Sequence, residues 1–351
     1  MNRGLYIHVP FCSSKCPYCN FYSLGGEQRD NKELFTEKLV NDLKKNRNKK
    51  AKTLYIGGGS PGSLSKSQLE KIIKTATQNF KIDGEKTIEL NPVEVTQNLA
   101  KTLAESGINR VSLGVQTFNP GFRKVLGRKG EISDTFNAAS ILKNNGIKNI
   151  SADLMFGLPG QTTEDLNSDL NMIKALDVKH VSCYILKIEK NTVFYKKRED
   201  LNLPSDDLIA DMYLKICDFL DKINLKQYEI SNFAKPNFES RHNLNYWKDG
   251  EYYAFGPSAH LYINGERYYY SDSLKDYLED KPLIYESKGG SDEEKLMLAL
   301  RLKRGISIKT AEKYKDKIDE MKNFFEIRNN RVCLNAQGFL ISNSIIANLL
   351  D

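Results

Sequence analysis

Along the first two-thirds of the chain, short apolar runs alternate with stretches whose apolar residues recur every three to four positions. The runs read as strands: LYIHVPF (5–11), TLYIGG (53–58), TIELNP (87–92), RVSLGVQ (110–116), NISADLMFG (149–157) and HVSCYILKI (180–188). Helical periodicity fills 31–46, 65–79, 96–106, 133–145 and 163–176. Ser65 and Thr162–Thr163 stand where helix N-caps belong, and Gly107 and Gly146 where C-terminal glycines belong. Strands alternating with helices form βαβ units and a parallel sheet. The expected class is α/β, a partial (β/α)6 TIM-like barrel. An open doubly wound sheet is the competing topology, and periodicity does not separate the two.

Beyond residue 200 the pattern changes. A helix over 206–223 precedes QYEISNFAK, HNLNYW and GPSAHLYINGERYYYS. Asn264-Gly265 between alternating apolar residues predicts a hairpin, because both turn positions need φ > 0. From 292, SDEEKLMLALRLKRG reads as a capped amphipathic helix. SIKTAEKYKDKIDEMKNFF, a strand pair around EIRNNRVCLN and one last helix, AQGFLISNSIIANLL, follow. The expected division is a barrel over 1–200, an extension carrying HNLNYW over 201–290, and a smaller α+β, winged-helix-like accessory domain over 291–351. Repeats and low-complexity tracts are absent.

Composition adds modest limits. With 40% hydrophobic and 28% charged residues in 351, a sizeable core is expected. No apolar run approaches the ~20 residues a spanning helix needs. Met1-Asn2-Arg3 leads directly into GLYIHVPF with no apolar leader, so a cytoplasmic protein is expected. The net charge is +7, and the densest basic stretch is LKKNRNKKAK (43–52). No aromatics interleave with its lysines, so it reads as a solvated helix end and loop, and no nucleic acid is expected as a partner.

The chemistry starts in HVPFCSSKCPYCNFYS (8–23), which spaces Cys12, Cys16 and Cys19 as C-x3-C-x2-C. Thiols stay reduced in the cytosol, so such a group is a metal site or a catalyst more often than a disulfide. Iron–sulfur clusters are the main use of several cysteines outside zinc. Three ligands on a four-iron cube leave one iron open to a substrate or cofactor. A zinc site completed by His8 or a remote residue is the alternative, but zinc sites come as two spaced pairs. The ends of the later strands carry Gly57 to Pro61, Glu89 and Asn91, Gln116, and Asp153. Parallel α/β folds bind ligands at that edge, so these groups point to one site at a barrel mouth. Cys183, Cys217 and Cys333 lie in apolar segments and read as small buried residues.

The cysteine motif resembles that of radical S-adenosylmethionine (SAM) proteins, and GGGSP resembles their glycine loop. YIHVPFCSSKCPYCNF, GGGSP, ELNP, SLGVQTFN, LGR and DLMFGLPGQT together resemble the oxygen-independent coproporphyrinogen III oxidase family and its relatives, over nearly the whole chain. The resemblance implies a [4Fe–4S] cluster on Cys12, Cys16 and Cys19, with SAM on the open iron. It implies SAM contacts from Tyr6, Gly58, Gly59, Ser60, Glu89, Gln116, Arg128 and Asp153, and backbone contacts from Tyr18 and Ile185. The residue types suit those roles. Glu89 can accept from the methionyl ammonium, Arg128 can pair with its carboxylate, and Gln116 and Asp153 can bond ribose hydroxyls.

The chain also departs from the oxidases. They carry a fourth cysteine two residues after the third, where this chain has Phe21, and a long arm ahead of the motif, for which Cys12 leaves no room. Both departures match a sister group of heme chaperones, which share an H-N-x-x-Y-W motif: here His242, Asn243, Tyr246 and Trp247, the one tryptophan. This resemblance implies heme as a third ligand, with His242 as its axial ligand and the aromatics on its faces. A core histidine hydrogen-bonded to the backbone is the alternative for His242; His260, in GPSAHLY, is the other candidate ligand and is read as core by default. The expected function is delivery of heme to an acceptor hemoprotein, such as a respiratory one. Oxidative decarboxylation of coproporphyrinogen III is the alternative. Radical SAM modification of RNA is a third reading.

Overall fold

A computed structural model describes residues 3–351; Met1 and Asn2, on which the reading of a missing leader partly rests, lie outside the described residues. The strands in chain order are β1 (Gly4–Val9), β2 (Thr53–Gly58), β3 (Lys86–Leu90), β4 (Arg110–Gln116), β5 (Asn149–Phe156), β6 (His180–Ile185), β7 (Lys226–Gln227), β8 (Asn232–Ala234), β9 (Tyr252–Phe255), β10 (His260–Ile263), β11 (Glu266–Tyr269) and β12 (Ile284–Lys288). Helices Arg29–Lys45, Lys66–Phe80, Gln97–Glu105, Ile132–Asn144 and Thr163–Leu176 connect the first six, which are parallel and neighbour one another in sequence order. Right-handed crossovers that never reverse direction put every helix on one face. The sheet therefore curls around its other face as a barrel does, whereas a doubly wound sheet reverses its order.

The barrel does not close. β1 pairs on its free side with β9, in parallel, and β6 pairs with β8, antiparallel. The sheet runs on beyond β9 through β10, β11 and β12. Asn264 (φ 56) and Gly265 (φ 77) make the expected β10–β11 turn. The expected caps also form. Ser65 and Gln68 make a reciprocal capping box, as do Thr162 and Asp165. Gly107 and Gly146 have φ of 82 and 89.

Residues alternate across the sheet. The helix-facing side is apolar, with Leu5, Ile7, Leu54, Ile56, Ile88, Val111, Leu113 and Ile150 fully buried. Each such side chain contributes about 1.5–3 kcal/mol of burial. The concave side is polar. Register aligns Tyr6 with Tyr55, Glu89 with Ser112, and Asp153 with Ser182. Buried parallel strands are usually apolar on both faces, so a polar interior marks this one as a site.

β13 (Ile306–Ser307), β14 (Phe325–Arg328) and β15 (Arg331–Leu334) form a separate antiparallel sheet in the order β13-β15-β14, packed with helix Asp292–Leu300 and later helices. The single terminal helix expected over 336–350 is two, Ala336–Leu340 and Ser342–Leu350. Ile341 leaves helical geometry there, and Arg301 pins the break by donating to the buried Ser342 hydroxyl at 2.7 Å. Among the described residues, no helix is long and apolar enough to cross a membrane.

Candidate functional site

The chain leaves β1 at Val9 and makes a cysteine loop with a pinned neck. The Leu24 N–H donates to the Pro10 carbonyl at 2.7 Å, and the Cys12 N–H to the Leu24 carbonyl at 2.9 Å. Cys12, Cys16 and Cys19 are all half-buried. Burial pushes the Cys12 thiol up to about 11, against a hydrogen bond from Ser23, and raises Cys19. An Arg128 guanidinium nitrogen lies 3.9 Å from the Cys16 sulfur. Among the described residues, no three His, Cys, Asp or Glu side chains gather as they would around a single metal ion. Three soft donors on one loop, with a cation beside them, fit a multi-iron cluster, whose thiolates bind separate irons.

The glycine loop after β2 is bolted to that neck. The Gly59 N–H donates to Val9 at 2.8 Å and the Ser60 N–H to Phe11 at 2.7 Å. A β-carbon on Gly59 would lie 2.7 Å from both the Val9 and Phe11 carbonyl oxygens; one on Gly58 (φ +99) would lie 2.4 Å from His8 Nδ1. The protein's own packing thus demands these glycines, beyond any approach by a ligand. The buried Ser60 hydroxyl donates to Glu94 at 2.6 Å and accepts from Asn91 Nδ2 at 2.8 Å. Its side chain joins two loops.

Glu89, one residue before the end of β3, accepts from the Tyr55 hydroxyl at 2.6 Å and the Gly58 N–H at 3.2 Å. Burial, opposed by the Tyr55 hydrogen bond, pushes its carboxyl up to about 7. Asp153 accepts from Ser112 at 3.0 Å, and burial raises its carboxyl as well. Gln116 has φ 68 where the β4–β5 register slips, and its amide and the Arg128 guanidinium both come within 3.3 Å of where a Gly114 β-carbon would be. Arg128 also donates to the Gly114 carbonyl and to Asn91 Oδ1. Tyr6 donates toward or accepts from His8 Nδ1 at 3.1 Å, and Tyr18 packs 6.3 Å from the Phe194 ring. Ile185, exposed, ends β6. The structure therefore assembles the cysteines, Gly58 to Ser60, Glu89, Gln116 and Arg128 toward the C-terminal ends of the strands, with Asp153 facing the interior midway along β5 and Tyr6, Tyr18 and Ile185 on the same strands and loops.

It does not bring HNLNYW there. That segment is helix Arg241–Trp247, capped by Ser240 and by Glu85, which accepts from the His242 N–H at 3.0 Å. His242 bonds Thr53 Oγ1 through Nδ1 at 2.8 Å and the Tyr246 hydroxyl through Nε2 at 2.7 Å. Thr53 opens β2, and Gly4, whose β-carbon would touch the His242 ring at 3.0 Å, opens β1. The motif thus closes the opposite end of the barrel, about 16 Å along β1 from the cysteine loop. The His242 ring is 1% exposed and stacked on Tyr55 at 5.2 Å, and burial drives its pKa down to about 3. It presents no free nitrogen, which departs from the expected axial ligand. The Tyr246 ring packs edge-on to Tyr252 at 4.5 Å, the Asn243 N–H donates to the Ser240 cap, and Trp247 ends the helix half-buried. His260, expected in the core, is exposed.

Asn91 stands at the strand end where the sequence puts it, whereas Glu94, Tyr55, Ser112 and the fully buried Arg110 are site-building residues that the strand-end pattern leaves out. The N-x-x-E spacing of Asn91 and Glu94 after a strand was a visible capping box. Tyr55 and Ser112 occupy inward positions of alternating strands, a signal that needed the curl of the sheet to be read.

A radical SAM superfamily model matches residues 6–173. The heme chaperone HemW of Lactococcus lactis is 36% identical, over 99% of this chain and 97% of its own length. That of Bacillus subtilis is 35% identical over 99% of each. Among solved structures, the Escherichia coli coproporphyrinogen III oxidase HemN, described as a radical SAM enzyme, has a TM-score of 0.86 at 20% identity, covering 99% of this chain and 90% of that one. That likeness in fold extends over the C-terminal three-stranded sheet as well. The chain belongs to the radical SAM superfamily and, within it, to the family of the heme chaperone HemW.

Proposed function

We propose that the protein is a heme chaperone that binds heme and passes it to an acceptor hemoprotein in the cytoplasm or at a membrane facing it. The observation that carries this reading is the end-to-end similarity to HemW proteins named as heme chaperones. Membership of the radical SAM superfamily implies a [4Fe–4S] cluster and SAM. We assign the cluster to Cys12, Cys16 and Cys19. We assign the methionyl ammonium to Glu89, its carboxylate to Arg128, and the ribose hydroxyls to Gln116 and Asp153, with Gly58 and Gly59 lining the approach. When bound, the pair supplies one-electron chemistry. Around it, the chain's own residues orient the methionyl group: Tyr55 and the Gly58 N–H fix the Glu89 carboxylate, and Asn91 fixes the guanidinium. Phe21, 66% exposed where the oxidases carry another cysteine, supports binding over turnover.

The test is anaerobic reconstitution of the cluster, then heme titration, with coproporphyrinogen turnover assayed on the same sample. Stoichiometric heme uptake without decarboxylation is expected. Decarboxylation would replace this reading with that of an oxidase.

A further inference from the structure

The chain has four histidines. Three are closed off inside the barrel with both ring nitrogens engaged. His8 is held by Tyr6 and the Tyr22 carbonyl, His180 by Ser151 and Tyr228, and His242 by Thr53 and Tyr246. His260 differs from all of them. It opens β10 with its side chain half exposed, its Nδ1 lies 3.3 Å from Glu286 Oε2, and among the described residues nothing hydrogen-bonds its Nε2. Its ring lies flat on Tyr269, centroids 5.1 Å apart and planes 18° apart.

Its place in the sheet matters as much as its exposure. Tyr262, two residues on, pairs with Tyr252, which pairs with Gly4, and Ala254 pairs with Tyr6. Alternation along each strand sets His260 on the same concave face as Tyr6. Because β10 runs against β9, its first residue is the one nearest the cysteine-loop end, level with Ala254 and Tyr6 and about 10 Å short of Val9. Cross-strand pairing continues the row from His260 to Tyr269 and then to the exposed Ile284. The loop bearing Phe21 is tied to this edge, since the Leu274 N–H just past β11 donates to the Tyr22 hydroxyl at 2.8 Å.

We propose that His260 is the imidazole this protein offers to heme iron, through Nε2, with Tyr269 and Ile284 as the ledge under the macrocycle. The proposal rests on the heme-chaperone reading and replaces HNLNYW as the ligand source. The chemistry is that of a ligating histidine. A carboxylate on Nδ1 fixes the tautomer that leaves the Nε2 lone pair outward. The flat stack on Tyr269 holds the ring's orientation. No group has to leave the core for the bond to form.

The experiment is ferric heme titration of the cluster-loaded protein, read by the Soret band and by electron paramagnetic resonance of the heme iron. Wild type is compared with His260→Ala, Glu286→Gln and His242→Gln, with iron and sulfide content and the thermal midpoint measured on each. His260 is exposed, so His260→Ala should keep the wild-type midpoint and cluster. It is expected to lose the histidine-ligated spectrum and to bind heme about tenfold or more weakly. Added imidazole should restore the spectrum. Glu286→Gln should keep the spectrum and weaken uptake about tenfold, as removal of an outer-shell partner does. His242→Gln should keep the spectrum. An unchanged spectrum and affinity in His260→Ala, with normal uptake by wild type, would overturn the assignment. Absence of heme uptake by wild type would instead remove the chaperone reading beneath it.

Discussion

The guanidinium of Arg128 reaches the Cys16 sulfur, at 3.9 Å, while its other nitrogen is held between the Gly114 carbonyl and the Asn91 side chain. One side chain thus links the cysteine loop to β3 and β4. A planar fork can hold those anchors and still face a carboxylate, whereas a lysine ammonium is a point charge on a flexible stem. Arg128→Lys is expected to keep the cluster's iron and sulfide but to lose about tenfold in SAM affinity, roughly 1.4 kcal/mol. Arg128→Gln should lose more. Anaerobic calorimetry on the reconstituted protein measures both, and equal SAM affinities in all three proteins would take Arg128 out of the ligand's reach.

With Glu89 as the proposed acceptor of the methionyl ammonium, SAM binding is expected to be pH-dependent. Burial holds its carboxyl protonated up to about pH 7. Its folded pKa lies above the unfolded value, so the ligand-free fold loses stability as pH rises from about 4.5 toward 7. An ammonium partner needs the ionised form. Below pH 7, therefore, binding must release a proton, and affinity should fall toward about tenfold per pH unit. Above it, affinity should level off. Calorimetry at pH 6 in buffers of different ionisation enthalpy reads the proton directly. Zero proton release at pH 6, or the same pH profile in Glu89→Gln, would exclude the carboxylate as the ammonium's acceptor.

His242 behaves as a structural residue in this fold, and its signature is acid sensitivity. Its pKa is driven down to about 3 by burial, with Arg110 adding to the effect, while in the unfolded chain it is about 6.5. The unfolded state then binds more protons than the native state, so His242 withdraws stability as pH falls from about 6.5. Glu89 acts in the opposite sense over the same range, so the comparison has to be made between variants. His242→Gln is expected to be about 1–3 kcal/mol less stable at pH 7, because Thr53 and Tyr246 lose a well-placed partner. Its stability should fall less than that of wild type between pH 7 and 5. Urea unfolding at both pH values supplies the four numbers, and a parallel fall would mean that His242 is not buried and neutral.

What the sequence made legible follows the range of the interactions involved. The six parallel strands, their connecting helices, the Ser65 and Thr162 caps and the Asn264–Gly265 turn are set by neighbours within a few residues, and the structure has them within two or three residues of where the pattern put them. β9 escaped notice. It has four residues, Tyr-Tyr-Ala-Phe, and it becomes a strand by pairing with β1 from nearly 250 residues away. The placement of HNLNYW was illegible for a related reason. Its own residues specify a capped helix, but the partners that assign it to the floor of the barrel are Thr53, Glu85 and Gly4, each at the start of a different strand. His260 was misread because apolar neighbours in sequence suggest a core. Its strand lies beyond the six parallel strands of the curled sheet, where one face stays open. The glycine loop was located correctly, but the carbonyls of Val9 and Phe11 that make Gly59 obligatory come from another loop.

The last prediction concerns the metal centre and uses all six cysteines. Cys183 is 2% exposed on the helix side of β6, and Cys333 is fully buried on β15 of the C-terminal sheet beside Glu326. Cys217 lies against Gln227 on helix Asp206–Lys222. None of these can reach the loop at 12–19 without unfolding its own element. Replacing Cys12, Cys16 or Cys19 singly by serine is therefore expected to abolish cluster assembly, because no spare thiol stands near to substitute. Replacing Cys183, Cys217 or Cys333 by alanine should leave iron and acid-labile sulfide at wild-type levels, with a cost of about 1–2 kcal/mol at most for the buried pair. Phe21→Cys is the complementary change. Phe21 is 66% exposed, so the substitution should cost little stability. If three thiolates are enough to hold the cube, it should leave the iron count as it was. Elemental analysis of anaerobically purified protein decides the matter. Stoichiometric zinc, or full iron in a protein lacking any one of the three loop cysteines, would mean that the loop holds something other than a three-cysteine cluster.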